Sequence, residues 1–193
     1  MPLPPTATRI LAAARGILDE DGAEALTLRG VAEVVGLTPM AIYRHFPSRA
    51  ALLNAVAEAG FEELAADLKG RRVTGGAPQR LAKMGSLFLE HALANPRLFD
   101  LMFLRPREGA RRYPGDYKAG HSPTASLLAE AVVAGMAHGE FREDDPWEIV
   151  FEMGALSHGL IQLYFSGRTQ LTLPQFRALH QRSFARYIHG LCS

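Results

Sequence analysis

The chain is almost without cysteine: Cys192 is the single thiol among 193 residues. One thiol makes neither an intrachain disulfide nor a cysteine-rich zinc site, so the fold rests on its apolar core and a reducing cytoplasm is the expected compartment. An excess of charge is also missing. Lys and Arg total 21 against 20 Asp and Glu, a net of +1. No global field therefore draws the chain to nucleic acid or to an anionic membrane, and any such role depends on where the charges lie. No apolar run reaches the length of a bilayer span. The proline-rich start, Met1 to Thr8, lacks the charged and apolar regions of a signal peptide. Alternating strand patterns are nearly absent, and no internal repeat is visible.

What is present is a globular composition, 48% hydrophobic and 21% charged, enough for one or two small domains with a core. The periodicity predicts an all-α fold of about nine helices. The first runs from Thr8 to Asp21, with Ile10, Ala14, Ile17 and Leu18 on one face and Gly22 as its stop. Thr27 caps a second from Leu28 to Val35. Thr38-Pro39 opens a third to about Phe46, and Ser48 caps a fourth from Arg49 to about Lys69, buried through Leu53, Ala57, Gly60, Leu64 and Leu68. Gly70 to Ala77 reads as a linker. Helices then run from Pro78 to about Ala94, Pro96 to about Leu104, Pro123 to about His138, Pro146 to about Ser166, and Pro174 to about Gly190. Arg105 to Gly120 reads as a solvated loop whose arginines offer, as the alternative, a second anionic contact.

The informative segment is Leu28 to Phe46: two short helices joined at Val35-Gly36-Leu37, with glycine where the turn needs a left-handed backbone. A DNA-binding helix-turn-helix is built this way, its second helix lying in the major groove. That helix is too short to stand alone. Ile42 and Phe46, four apart, brace it, while Thr38, Met40, Ala41, Tyr43, Arg44 and His45 face outward, where they suit phosphates, base edges or thymine methyls. Leu37 to Ala50 holds Arg44, His45 and Arg49 and no acid. On spacing alone a plain helical hairpin in a bundle is an equal reading.

The run Leu26 to Leu53, LTLRGVAEVVGLTPMAIYRHFPSRAALL, resembles the TetR family of bacterial transcriptional regulators. The resemblance implies a ligand-responsive regulator, usually a repressor, that binds a palindromic operator on double-stranded DNA as a homodimer through its last two helices. A small, mostly apolar effector in the C-terminal core then releases it. It implies phosphate contacts for Thr27 and Tyr43, groove-facing positions for Thr38, Pro39, Met40, Ala41 and Arg44, and a backbone contact for His45. Arg49 takes the place of the family's more usual lysine. The expected division is 1–48 for DNA binding, 49–77 as connecting helix and linker, and 78–193 for sensing and dimerisation. An activator or a ligand-independent regulator is the alternative within the class.

In the C-terminal half, Ala155 to Leu160 resembles the His-Gly motif of one class of TetR sensor domains. The tryptophan that often precedes that motif is replaced here by Met153-Gly154-Ala155. Candidate lining residues for an apolar pocket are Met84, Phe88, His91, Phe99, Met102, Phe103, Met136, Phe151, His158 and Gln162, any of which serves equally as core filling. Ile149, Met153, Leu156, Leu160 and Leu163 on one helix, with Phe176, Leu179, Phe184 and Ile188 on the next, are expected to pair across a two-fold axis. His91, His121, His138 and His158 lack the one-turn spacing of a metal pair, so neither metal nor cofactor is expected. Ser157 and His158 are adjacent and point to different faces, so they form no catalytic pair. A helical enzyme or carrier using the C-terminal cavity is the rival outside the class, and the missing catalytic constellation speaks against it.

Overall fold

The computed structural model describes residues 5–70 and 75–192. Residues 71–74 of the expected linker and the first four of the chain lie outside the described residues. Among the described residues the fold is all-α, with ten α-helical segments and no strand beyond an isolated bridge between Phe141 and Cys192. Two compact units emerge: Met1–Phe61 with Asn95–Ala110, and Glu62–Ala94 with Arg111–Ser193.

The first unit begins with helix α1 (Pro5–Asp21), buried through Ala7, Ile10, Ala14 and Leu18. Gly22 ends it at φ 88°, where a Cβ would be strained. Helix α2 (Leu28–Val35) starts on Thr27, whose Oγ1 accepts from the Gly30 amide at 3.0 Å. It ends on Gly36 at φ 68°. Helix α3 (Pro39–His45) is capped by Thr38, whose Oγ1 accepts from the Ala41 amide at 3.3 Å. Phe46 is its C-cap rather than its last turn. Helix α4 (Arg49–Gly70) opens with Ser48 Oγ accepting from the Ala51 amide at 3.0 Å.

The buried stripe of α4 is wider than expected: Leu52, Val56, Phe61 and Ala65 join Ala57, Gly60, Leu64 and Leu68, while Leu53 is half-buried. Helix α6 (Pro96–Phe99) does not continue as an α-helix to Leu104. It widens into a π-turn over Asp100–Leu104, which turns Leu101 and Met102 inward. Gly60 admits this segment, since a Cβ there would lie 2.7 Å from the Met102 sulfur and 3.0 Å from Leu98. Arginines fasten the segment to its neighbours in the unit. Arg15 Nη2 donates to Asn95 Oδ1 at 2.6 Å, and Arg97 Nη1 donates to the Asp19 carbonyl at 3.0 Å.

The second unit packs helix α5 (Ala77–Ala94) against α8 (Pro123–Ala137), α9 (Pro146–Phe165) and α10 (Leu173–Leu191), with α8 and α10 each also against α9. Ser122, Asp145 and Thr172 are the N-caps, each followed within two residues by proline. The core stripe of α10 is Phe176, His180, Phe184 and Ile188, strictly four apart, and that of α9 includes Ile149, Val150, Met153, Ser157 and Ile161. Ile149, Met153, Phe176, Phe184 and Ile188, expected across a two-fold axis, are therefore buried inside this chain's own core. Side chains left outside on these two helices include Ala155, Gln162, Leu163 and Phe165 on α9, and Arg182, Ala185, Arg186 and His189 on α10.

The expected loop Arg105–Gly120 is more structured than a solvated loop. It contains helix α7 (Gly115–Lys118). Its part in the second unit is tied down there: Tyr113 stacks on Phe151 at 4.3 Å, Arg111 Nε donates to the His121 carbonyl at 2.6 Å, and Lys118 pairs with Asp145 at 2.8 Å.

Glycine positions give two substitutions of opposite sign. A Cβ on Gly85 of α5 would lie 2.4 and 2.5 Å from the Phe184 ring, a rigid obstacle that is itself buried. Gly85→Ala is expected to lose about 1–3 kcal/mol to overpacking, more than the helix-propensity gain returns. On exposed Gly16 of α1, nothing lies within 4 Å of the added Cβ, and Gly16→Ala is expected to gain up to about 1 kcal/mol. Urea denaturation of both variants checks the signs.

Candidate nucleic-acid interface

The turn between α2 and α3 is fixed at both ends. The Gly36 and Leu37 amides donate back to Glu33 (3.3 Å) and Ala32 (2.9 Å) carbonyls, closing α2 in the manner of a Schellman cap. Arg9 Nη2, from α1, donates to the Val35 carbonyl at 3.0 Å. The seven residues of α3 are anchored by Ile42, fully buried, with Phe46 at 7% exposure behind it. The opposite side is open. Thr38, Pro39, Met40, Tyr43, Arg44 and His45 are all exposed, and Ala41 is half-buried between them.

Met40 at 67% and Tyr43 at 50% exposure are apolar or aromatic bodies held in water by a rigid scaffold. Core burial does not explain them, and an isolated seven-residue helix would not present them in fixed register. Arg44 and His45 sit in the last turn, where the helix dipole favours positive charge. Thr27 is exposed at the start of α2.

Sequence reasoning passed over two features here. Val34 on α2 is 64% exposed, an apolar side chain off the stripe of Leu28, Val31 and Ala32. Arg49 is not a free cation: its Nε donates to the Leu26 carbonyl at 2.8 Å and its Nη2 to the Ala23 carbonyl at 2.5 Å. It thus holds the loop that leads into the Thr27 cap.

The candidate pocket residues divide. Phe99, Met102 and Phe103 belong to the first unit. Phe103 there meets Phe61 and Phe99, each at 5.1 Å between ring centroids. In the second unit Met84 is buried, Met136 is half-buried, and Phe88 lies 5.5 Å from the His158 ring. Burial pushes His158 down to about 4, so the ring is neutral near pH 7. His91 Nδ1 lies 3.7 Å from the Asp67 carboxylate. Phe151 and Gln162 are exposed, the former under Tyr113.

One buried polar pair was not anticipated. Ser157 Oγ and His180 Nε2 lie 2.8 Å apart, at 2% and 1% exposure. His180 Nδ1 has no partner, and its ring stacks on Phe184 at 4.6 Å. Burial alone lowers His180 to about 4. The legible signal was position: both residues fall on the apolar stripes of their helices. Among the described residues no group of three or more metal-ligating side chains comes together, and no helix is long and apolar enough to cross a membrane.

Comparison with known proteins agrees with this geometry. The family model for bacterial regulatory proteins of the tetR family matches residues 10–56. That for the tetracyclin repressor-like C-terminal domain matches residues 81–191, more than half the chain. The class A tetracycline repressor protein from transposon 1721 of Escherichia coli is 33% identical over 106 residues, which cover 55% of this chain and 44% of that protein. A structure of a protein with unknown function from Rhodococcus sp. RHA1 is similar at TM-score 0.81 and 28% identity, covering 99% of this chain and 97% of that one. A TetR protein from Acinetobacter baumannii AYE, in complex with minocycline, is similar at TM-score 0.71 and 20% identity, covering 98% of this chain and 96% of that one. The chain belongs to the TetR family of bacterial regulatory proteins.

Proposed function

We propose that this chain is a ligand-responsive transcriptional repressor. It binds a palindromic operator as a homodimer and is released by a small, mostly apolar effector. The observation that carries the reading is the outward face of α3, where Met40, Tyr43, Arg44 and His45 are exposed on a helix braced by Ile42 and Phe46. Thr38, Pro39, Met40, Ala41 and Arg44 approach base edges, Thr27 and Tyr43 the phosphates, and His45 and Arg49 the backbone. Residues 1–48 read the DNA, 49–77 connect, and 78–193 bind effector and partner. Phe88 on α5 beside the neutral His158 ring on α9 supports an effector of that chemistry. The uncovered faces of α9 and α10, with small Ala155 and Ala185 open to solvent, support their pairing with a second copy.

Selection of bound fragments from genomic DNA with the purified full chain, then titration of the best fragment at two salt concentrations, tests this. A palindromic site is expected, with affinity falling as log salt rises by about 0.9 per phosphate neutralised. A folded protein that enriches nothing, even after unfolding, stripping and refolding, would overturn the DNA-binding reading.

A further inference from the structure

A cavity of about 470 Å³ opens within the first unit, walled by the α1–α2 loop, the first turns of α4 and the segment that follows the π-turn. Its size falls in the range of small-molecule sites. Leu53, Leu101 and Pro106 give it an apolar wall, and three guanidinium groups, of Arg49, Arg105 and Arg107, stand on its polar side.

The arginines are held in unequal ways. Arg107 is a fixed wall: its side chain is 6% exposed, its Nη1 donates to Asn54 Oδ1 at 3.3 Å, and it lies over the Phe61 ring at 5.7 Å. Arg49 and Arg105 share a single carboxylate. Arg105 Nη1 donates to Glu24 Oε1, and Arg49 Nη2 donates to Glu24 Oε2 at 3.4 Å. The gap between these two guanidiniums thus already has the dimensions of a carboxylate.

The carboxylate that fills the gap is the most loosely held part of the arrangement. Glu24 sits on a loop with its side chain 78% exposed, so releasing it to water costs little. The charge balance favours a monoanion in its place. Asp100 pairs with Arg105, Glu58 lies near Arg107, and Glu108 is on the cavity wall. These three carboxylates already match the three guanidiniums, so a monoanion in place of Glu24 keeps the local excess at one negative charge, whereas a phosphate dianion would raise it to two.

We propose that this cavity binds a small organic monocarboxylate, whose carboxylate replaces that of Glu24 between Arg49 and Arg105 and whose apolar body packs on Leu53, Leu101 and Pro106. The site lies in the same unit as the helix-turn-helix and is separate from the effector core of the second unit. Because Arg49 also holds the Ala23 and Leu26 carbonyls, an occupant touches the side chain that supports the entry to α2.

Calorimetric titration of the full chain with phenylacetate, and with phenylacetamide as the uncharged isostere, tests the proposal. Saturable binding of phenylacetate and little of the amide is expected. Arg105→Gln is expected to weaken binding about tenfold, through loss of a charge-assisted bond. Glu24→Gln, which removes the competing carboxylate, is expected to strengthen it several-fold. That opposite pair of signs would not arise from binding in the second unit. Equal binding of acid and amide, no saturable heat, or affinity indifferent to Glu24→Gln would overturn it. The Glu24 variant decides even if Arg105→Gln fails to fold, since Glu24 is exposed.

Discussion

Replacing Tyr43 and Arg44 together by alanine is expected to weaken operator binding about a hundredfold or more while leaving the melting temperature nearly unchanged. The two side chains are exposed on α3, and neither makes a hydrogen bond or ion pair with another described residue. Exposed substitutions of this kind change stability by about 0.5 kcal/mol or less. A lost base-edge contact costs about 1–3 kcal/mol per half-site, and a lost phosphate contact lowers affinity across all sequences and flattens the salt slope by about one. In the proposed symmetric dimer each loss counts twice. Gel-shift titration on the selected operator, beside a thermal melt, separates binding from folding. Ile42→Ala is the informative contrast. That residue is fully buried, so truncation is expected to remove about 2–5 kcal/mol of stability and abolish binding by unfolding the head. If the Tyr43/Arg44 variant binds within about threefold of the parent, less than the cost of one base contact, α3 is not the recognition element.

Arg49 makes a poorer probe than its sequence position suggests. As a cation at the start of α4 it reads as a phosphate contact, yet two of its nitrogens are committed to the Ala23 and Leu26 carbonyls. Arg49→Ala would strip acceptors of their donor as well as remove charge, and a loss of operator affinity would not distinguish the two. Chain pattern carries residue type and spacing, and it does not carry which carbonyls a long side chain reaches across a gap of more than twenty residues.

The same distinction runs through the fold. Local signals placed the helix starts well, because a capping Thr or Ser and an early Pro act within one turn: Thr27, Thr38, Ser48, Ser122 and Asp145 cap as their spacing predicts. The widening of α6 into a π-turn had no local signal. It depends on Gly60 of α4 admitting Met102 and Leu98, a contact between segments some forty residues apart in the chain. The apolar stripes of α9 and α10 were visible as stripes, but each helix carries apolar residues on more than one face, and periodicity alone did not say which face meets its own chain. Once Phe176, Phe184 and Ile188 are placed inside the core, the outer faces are recognisable by their small residues, Ala155 and Ala185, beside polar Gln162 and Arg182.

Acid is expected to unfold the second unit over a window set by half-buried His158 and buried His180. His158 and His180 are each held down to about 4, in both cases by burial, against about 6.5 for an unfolded chain. A base whose folded pKa is depressed binds fewer protons when folded than when unfolded, so its contribution is whole above about pH 6.5 and is lost as pH falls from there toward 4. Each ring contributes on the order of 3 kcal/mol across that window. The exposed carboxylates behave differently. Glu90 beside Arg177, Asp116 under the Arg112 amide and Asp145 beside Lys118 are held below the usual range, so what they stabilise persists until the pH drops below about 4. Urea denaturation followed through Trp147, the single tryptophan and a residue of α9, should therefore show its midpoint already falling as the pH drops from about 6.5, above the ordinary carboxylate pKa of about 4. His180→Gln keeps a hydrogen-bonding partner for Ser157 and removes one of the two titrations, and the slope in that window should drop by about half. A midpoint flat across the window would mean that both rings are hydrated in solution, and His158 would then lose its standing as the neutral polar group of the proposed effector core.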